Sequence, residues 1–258
     1  MRNHDTDAAQ RGGTNLIQAG KMIVRSSLIV ISFALFAGTA QAGLPRTPES
    51  AVTPEGGAYG RILARVKEGP VGILFLGDSI TENWPNTSKS TWSKLEPYHP
   101  ADFGIGGIET GRLLWCITSF GELDRISPKV VVIMIGTNNI GHNPDETPEW
   151  AAAGIKKVVE TVHEKLPRAK VLLLGILPRA ETKEIAGIAA VAKVAQVNAI
   201  IKGLDDGKNI TYLDLGGNFL DPQGKAIKEL YFDGLHPNSK GYDVWFNAMW
   251  PILEPMLK

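Results

Sequence analysis

Two short segments of this chain hold residue types that together could carry acyl transfer. In the first, the apolar run Ile73-Leu74-Phe75-Leu76 stops at Gly77-Asp78-Ser79-Ile80-Thr81. Ligands of open α/β sheets bind outside the carboxyl ends of the strands, so a serine at the end of a buried strand offers its hydroxyl at the mouth of a site. In the second, Asp233-Gly234-Leu235-His236-Pro237 sets a carboxylate three residues before an imidazole. Gly234 and Pro237 keep that segment from forming regular helix. A loop of this kind lets the carboxylate accept a hydrogen bond from one ring nitrogen, which leaves the other free to take a proton from a serine. Each segment also has a plainer reading: Asp78 or Ser79 as a helix cap, and Asp233 to Pro237 as a surface turn before the last helix.

The other histidines are weaker candidates for the base. His4 lies near the start of the chain, His163 falls inside a long helical pattern, and His99 and His142 sit in polar loops. Donors for an oxyanion follow the same logic as the serine. Gly106-Gly107 comes between a strand pattern and a helix pattern, where backbone N–H groups can approach a ligand closely. Gly136-Thr137-Asn138-Asn139 follows the strongest strand signal and offers a side-chain amide. Neither segment is diagnostic alone, because Gly-Gly and Gly-Thr-Asn are ordinary turn chemistry.

Competing motifs fail. Gly104-Ile105-Gly106-Gly107-Ile108-Glu109 has Glu where a dinucleotide fingerprint needs its third glycine, and Gly106 to Gly111 is followed by Arg112-Leu113 where a phosphate loop has Lys and Ser or Thr. Thr81 replaces the last glycine of the Gly-x-Ser-x-Gly elbow. No cluster has metal-ligand spacing, and nothing calls for a cofactor.

These residues must be held by a scaffold, and the hydrophobic pattern supplies one. Strands are expected at Val71 to Leu76, Phe103 to Ile105, Val130 to Ile135, Lys170 to Ile176 and Ile210 to Leu215. Between them lie helical patterns at Tyr59 to Val66, Ser90 to Leu95, Thr110 to Phe120, Pro148 to Leu166 and Ala189 to Lys202, with a closing helix at Ser239 to Leu257. The polar stretch from Gly136 through Pro144 and most of Gly216 to Pro237 read as loop. Strands alternating with helices imply right-handed βαβ units and a parallel sheet, hence a three-layer α/β/α sandwich.

The chain has 258 residues with 27 basic and 27 acidic side chains, so the charged footprint of a nucleic-acid binder is missing. Lys21 and Arg25 precede the apolar run Leu28 to Ala37, and Ala40-Gln41-Ala42 has the form of a signal-peptidase site. Residues 1–42 are therefore expected to be a leader with a secretory signal, with Met1 or Met22 as its start. Residues 43–54 form an extended, proline-rich lead-in, and residues 55–258 one domain. No stable membrane span is expected after cleavage, and the protein is expected to be exported, periplasmic or extracellular. The single Cys116 lies in an apolar segment and is expected to be a small core residue.

Taken in order, Gly77-Asp78-Ser79-Ile80, Gly104-Ile105-Gly106-Gly107, Gly136-Thr137-Asn138-Asn139 and Asp233-Gly234-Leu235-His236 resemble the four blocks of the SGNH or GDSL hydrolases. The branch they resemble most holds the catalytic subunits of intracellular platelet-activating-factor acetylhydrolase and related bacterial acetylesterases. The resemblance spans Val71 to Trp245 and implies a flavodoxin-like fold with a five-stranded parallel sheet. It implies Ser79 as nucleophile, His236 as general base and then acid, and Asp233 as the group that orients it. It also implies an oxyanion hole of the Ser79 N–H, the Gly107 N–H and the Asn138 amide. Asn139 departs from the family's third block, which often has Asp there.

The substrate implied is a small ester. The loops expected to shape the pocket, Thr81 to Ser90, Ile140 to Thr147 and Pro178 to Ile188, are short, and no amphipathic lid is evident. With export, this favours removal of acetyl groups from carbohydrate, ahead of a general short-chain or aryl esterase or a lysophospholipase-type acylhydrolase. Asp78, Trp84 and Asn139 are candidates for the substrate pocket, with core or rim packing the favoured reading of Trp84. A non-catalytic glycan-binding module with the same fold is the reading from another class. Oligomeric state is left open.

Overall fold

The structure, a computed structural model, describes residues 57–258 apart from 120, 144 and 180–186. The expected leader and lead-in lie outside the described residues. So does most of the charged loop after Pro178. Helix α1 (Gly57–Lys67) precedes strand β1 (Ile73–Gly77), which is followed by three single-turn helices, α2 (Ser79–Glu82), α3 (Trp84–Thr87) and α4 (Lys89–Trp92). Then come β2 (Pro100–Gly104), α5 (Thr110–Ser119), β3 (Val130–Met134), α6 (Thr137–His142), α7 (Pro148–Lys165) and β4 (Lys170–Leu174). The chain continues through α8 (Gly187–Ile201) and β5 (Ile210–Leu213) to α9 (Ser239–Met256).

The five strands form one parallel sheet in the order β2-β1-β3-β4-β5. This is the flavodoxin-like order, whose direction of winding reverses between β1 and β3, and ligands bind at that reversal. The register makes the geometry definite. Gly77 pairs with Gly104 on one side and Met134 on the other. Three strands therefore end at one level, and the segments that follow them start side by side.

Every residue of β1 and β3 is buried, as expected of central strands covered on both faces. Alternate residues serve opposite layers. Leu74, Leu76, Val131, Ile133, Val171 and Leu173 pack in one core with residues of α1, α5, α7 and α8. Ile73, Phe75, Val130, Val132, Met134 and Leu174 pack in a second core with Trp84, Leu95 and the apolar face of α9. Cys116 is fully buried in the first of these. Long helices start where local chemistry directs. Thr147 Oγ1 accepts from Trp150 N at 3.3 Å ahead of α7, with Pro148 as its first residue. The same kind of cap recurs at Asn238, whose side chain accepts from Gly241 N at 3.2 Å ahead of α9.

Two expectations are corrected. The stretch after Gly136 is helix α6, although Thr, Asn and Gly are poor helix formers; its side chains are held by distant partners described below. The segment from Thr81 to Ser90 is a set of helical turns set into the second core rather than a pocket loop. Among the described residues no helix is long and apolar enough to cross a membrane.

Candidate active site

Ser79 is the first residue of α2, directly beyond the end of β1. Asp78 caps this turn: its Oδ1 accepts from Ile80 N at 2.9 Å. The cap aims the Ser79 side chain out of the sheet, and close backbone packing fixes the turn against its neighbours. A Cβ built on Gly77 would lie 2.1 Å from Thr81 Oγ1 and 2.5 Å from the Met134 carbonyl oxygen. One built on Gly104 would lie 2.3 Å from Glu82 N. Glycine is needed at both positions because α2 sits against the ends of β2 and β3. From the other side, Tyr242 of α9 donates its hydroxyl to the Ile80 carbonyl at 2.6 Å.

The hydroxyl of Ser79 stands 2.9 Å from His236 Nε2, across 157 residues of sequence. His236 Nδ1 is 2.7 Å from Asp233 Oδ2. The other oxygen, Oδ1, accepts from Leu235 N at 2.9 Å and His236 N at 2.8 Å. Burial acts to raise the Asp233 carboxyl, but the hydrogen bonds from the His236 and Leu235 backbone and from the His236 ring outweigh it and hold it below the usual carboxylate range. The loop closes on itself through Phe232 N donating to the His236 carbonyl at 2.9 Å, and Gly234 supplies its positive φ of 84°. Tyr231 anchors it to the segment beyond β4, its hydroxyl donating to the Pro178 carbonyl at 2.7 Å.

Donors converge from the other two strand ends. The Ser79 N–H is at the first position of a helix, where no intrahelical acceptor exists. Gly106 and Gly107 are exposed, with φ 69° at Gly107, and a Cβ on Gly106 would lie 4.0 Å from Ser79 Cβ. Asn138 Nδ2 donates one hydrogen to the Ile108 carbonyl at 3.0 Å, which fixes the amide plane and leaves its second N–H uncommitted. Ser79, His236, Asp233 and the Gly106 backbone are thus brought together, and Asn138 bonds the same loop at Ile108.

The three candidates for the substrate pocket are all buried, and Trp84 takes the favoured packing role. Asp78 is 1 % exposed and is a cap. Burial pushes its carboxyl up to about 6, against the Ile80 N–H and the charges of His236 and Arg179. Trp84 has no exposed surface. Its Nε1 donates to Thr91 Oγ1 at 2.9 Å, and its ring lies 4.7 Å from that of Trp245 and 5.5 Å from that of Tyr242, centroid to centroid. It supports α2 from below and cannot stack on a sugar. Asn139 is 2 % exposed: its Oδ1 accepts from Thr110 N at 3.0 Å and its Nδ2 donates to Thr110 Oγ1 at 3.0 Å and Glu146 Oε1 at 3.2 Å. The amide at this position suits buried Glu146, which a second carboxylate would repel.

Sequence reasoning missed two cations. Arg61 of α1 donates from Nη1 to the Asp102 carbonyl at 2.6 Å and Asp102 Oδ2 at 3.0 Å, and from Nη2 to the Gly104 carbonyl at 2.6 Å and Glu82 Oε1 at 3.3 Å. Burial pushes the Asp102 carboxyl up to about 6, partly offset by Arg61 and the Gly104 N–H. Arg179, 5 % exposed beyond β4, donates from Nη1 to the Thr137 carbonyl at 3.1 Å, next to Asn138. Burial lowers its pKa, and the charges of Asp78 and Asp233 oppose that. Gly141 makes room for it, since a Cβ there would meet Arg179 Nη1 at 2.6 Å. For Arg179 the only available signal was a basic residue just after Pro178, in the segment that follows β4. Among the described residues no group of three or more His, Cys, Asp or Glu is placed to hold a metal ion.

Residues 75–244 match the family model described as the GDSL-like lipase/acylhydrolase family. The chain is 34 % identical over 186 residues to the platelet-activating factor acetylhydrolase IB subunit alpha2 of Homo sapiens, covering 71 % of this chain and 76 % of that one. A Bacteroides fragilis crystal structure described as an acylhydrolase superposes with a TM-score of 0.66 at 26 % identity, over 77 % of this chain and 97 % of that one. Est24, a carbohydrate acetylesterase from Sinorhizobium meliloti, shares the fold with a TM-score of 0.58 at 19 % identity, over 72 % and 99 %. With the match running from the middle of β1 into α9, the chain belongs to the GDSL-like lipase/acylhydrolase family of ester-hydrolysing enzymes.

Proposed function

We propose that this protein is an exported serine esterase that removes acetyl groups from carbohydrate. The observation that carries the chemistry is the alignment of Ser79 Oγ, the His236 ring and Asp233 Oδ2 through contacts of 2.9 and 2.7 Å. Ser79 attacks the ester carbonyl as His236 Nε2 takes its proton, and Asp233 stabilises the imidazolium that forms. Charge gathers on the carbonyl oxygen, facing the Ser79 N–H, the Gly107 N–H and the free N–H of Asn138. His236 then returns the proton to the departing alcohol. Water attacks the acyl-enzyme by the same route and frees acetate. Arg179 and Asn139 hold the turn that carries Asn138, and Tyr242 and Asp78 hold the turn that carries Ser79.

Acetyl specificity is supported by the acetylhydrolase named among the relatives at 34 % identity. The carbohydrate reading rests on the secretory pattern of residues 1–42 and on the exposed glycines beside Ser79, which suit a shallow, wet site. Acetate release from acetylated xylan, pectin, acetylated sugars and aryl acetates tests the substrate, and labelling by a serine-reactive phosphonate tests the chemistry. The expected result is release from at least one acetylated carbohydrate and labelling lost in Ser79→Ala. Equal labelling of wild type and Ser79→Ala would sink the mechanism; release from aryl acetates alone would sink the substrate.

A further inference from the structure

Glu82 is three residues beyond Ser79 on the single turn of α2, so the two side chains share a face. The space between them is defined by Gly106: the point a Cβ would occupy there is 3.0 Å from Glu82 Oε2 and 4.0 Å from Ser79 Cβ. A carboxylate oxygen and the nucleophile therefore border one small opening beside an exposed glycine. Glu82 has one anchor. Its Oε1 takes the hydrogen bond from Arg61 at 3.3 Å, and the same guanidinium is fixed by the Asp102 carbonyl at 2.6 Å, the Asp102 carboxylate at 3.0 Å and the Gly104 carbonyl at 2.6 Å. Among the described residues Oε2 has no hydrogen-bond partner, and the side chain keeps 29 % of its surface exposed. One cation against two carboxylates leaves this corner of the site negative.

We propose that Glu82 is a specificity-determining residue, whose Oε2 accepts a hydrogen bond from a hydroxyl on the alcohol part of the substrate and excludes esters whose alcohol part is anionic. An ionised carboxylate offers acceptors only, so it demands a donor. A sugar hydroxyl near the acetylated position provides one; a phosphate or carboxylate on the leaving group meets repulsion instead. The inference rests on the esterase reading and narrows it to neutral, hydroxyl-rich alcohols.

The test compares kcat/KM of wild type, Glu82→Gln and Glu82→Ala on phenyl acetate, a monoacetylated methyl xyloside and 4-acetoxybenzoate. For Glu82→Ala the xyloside-to-phenyl-acetate ratio should fall about 10- to 100-fold, the worth of a charge-assisted hydrogen bond. Glu82→Gln, which keeps an acceptor oxygen, should restore part of that ratio. In both variants the 4-acetoxybenzoate-to-phenyl-acetate ratio should rise at low salt and rise less at high salt, where charge is screened. Ratios that stay fixed while all rates fall together would make Glu82 a structural residue and overturn the proposal. A wild-type enzyme that cleaves the aryl esters and not the xyloside would remove the carbohydrate reading alone, since the anionic ratio still decides Glu82. Wild-type protein inactive on all three would overturn both.

Discussion

Replacing Gly104 with Ala tests whether the site depends on the close approach of two backbones. No catalytic group is touched. Gly104 does not have positive φ, so alanine is acceptable to the chain itself. The obstacle is space: the new Cβ would lie 2.3 Å from Glu82 N and 2.8 Å from Glu82 Cα. Restoring ordinary contact requires α2 and the end of β2 to part by about 1 Å. Both sides are fixed, α2 by Tyr242 on the Ile80 carbonyl at 2.6 Å and Gly104 by Asp102 Oδ1 on its N–H at 2.8 Å and Arg61 on its carbonyl at 2.6 Å. Whichever side yields, Ser79 separates from the Gly106-Gly107 loop that follows β2. A misplacement of that size lowers turnover by about 10²-fold, and the overpacking lowers stability by about 1–3 kcal/mol. The assay is kcat on phenyl acetate, with circular dichroism and urea unfolding to confirm a folded protein. Gly203→Ala is the control, because nothing lies within 4 Å of a Cβ there. A folded Gly104→Ala protein with kcat within about threefold of wild type would refute the reasoning.

Other substitutions separate chemistry from support. Asn138→Ala should lower kcat by about 10²- to 10³-fold if its free N–H stabilises the oxyanion; activity within about twofold on an aryl acetate would remove it from that role. Asn139→Asp should destabilise the fold by about 2–3 kcal/mol in urea unfolding, because it sets a carboxylate 3.2 Å from Glu146 Oε1 and gives up a donor; an unchanged unfolding midpoint at pH 7 would contradict this. Asp102 has a folded pKa raised to about 6 from 3.8, so the folded state holds the extra proton between those values. Its contribution is most favourable below pH 3.8 and is lost as pH rises through 6, amounting to about 3 kcal/mol. Asp102→Asn should lack that loss, so its stability relative to wild type should improve from pH 4 to pH 7. A pH-independent difference between the two proteins would refute it.

The strand ends were legible because a covered parallel strand must be apolar on both faces, and Val130 to Met134 can be little else. The segments after their carboxyl ends carry Ser79, Gly107 and Asn138, so most of the candidate site was legible with them. The Asp233 to His236 loop was legible as a spacing. Helix α6 was not, since its stability comes from Asn138 bonding Ile108 and Asn139 bonding Thr110, partners 30 and 29 residues away. Trp84 gave no sign of its direction, because an aromatic residue after a strand packs inward or outward with equal chemical sense. Its ring was committed by Tyr242 and Trp245, near the other end of the chain. Arg61, Glu82 and Asp102 follow no periodicity and were invisible for the same reason.

The Tyr242 hydroxyl reaches the Ile80 carbonyl across 162 residues, and His236 reaches Ser79 across 157. During synthesis at about 5–20 residues per second, roughly 10–30 s separate the emergence of Ser79 from that of His236. By the end of that interval β1 to β5 have all been made, but the turn bearing the serine still lacks Tyr242 and His236. On the proposed mechanism a growing chain therefore carries an inert serine, and hydrolytic competence arrives only when the last helix leaves the ribosome and docks.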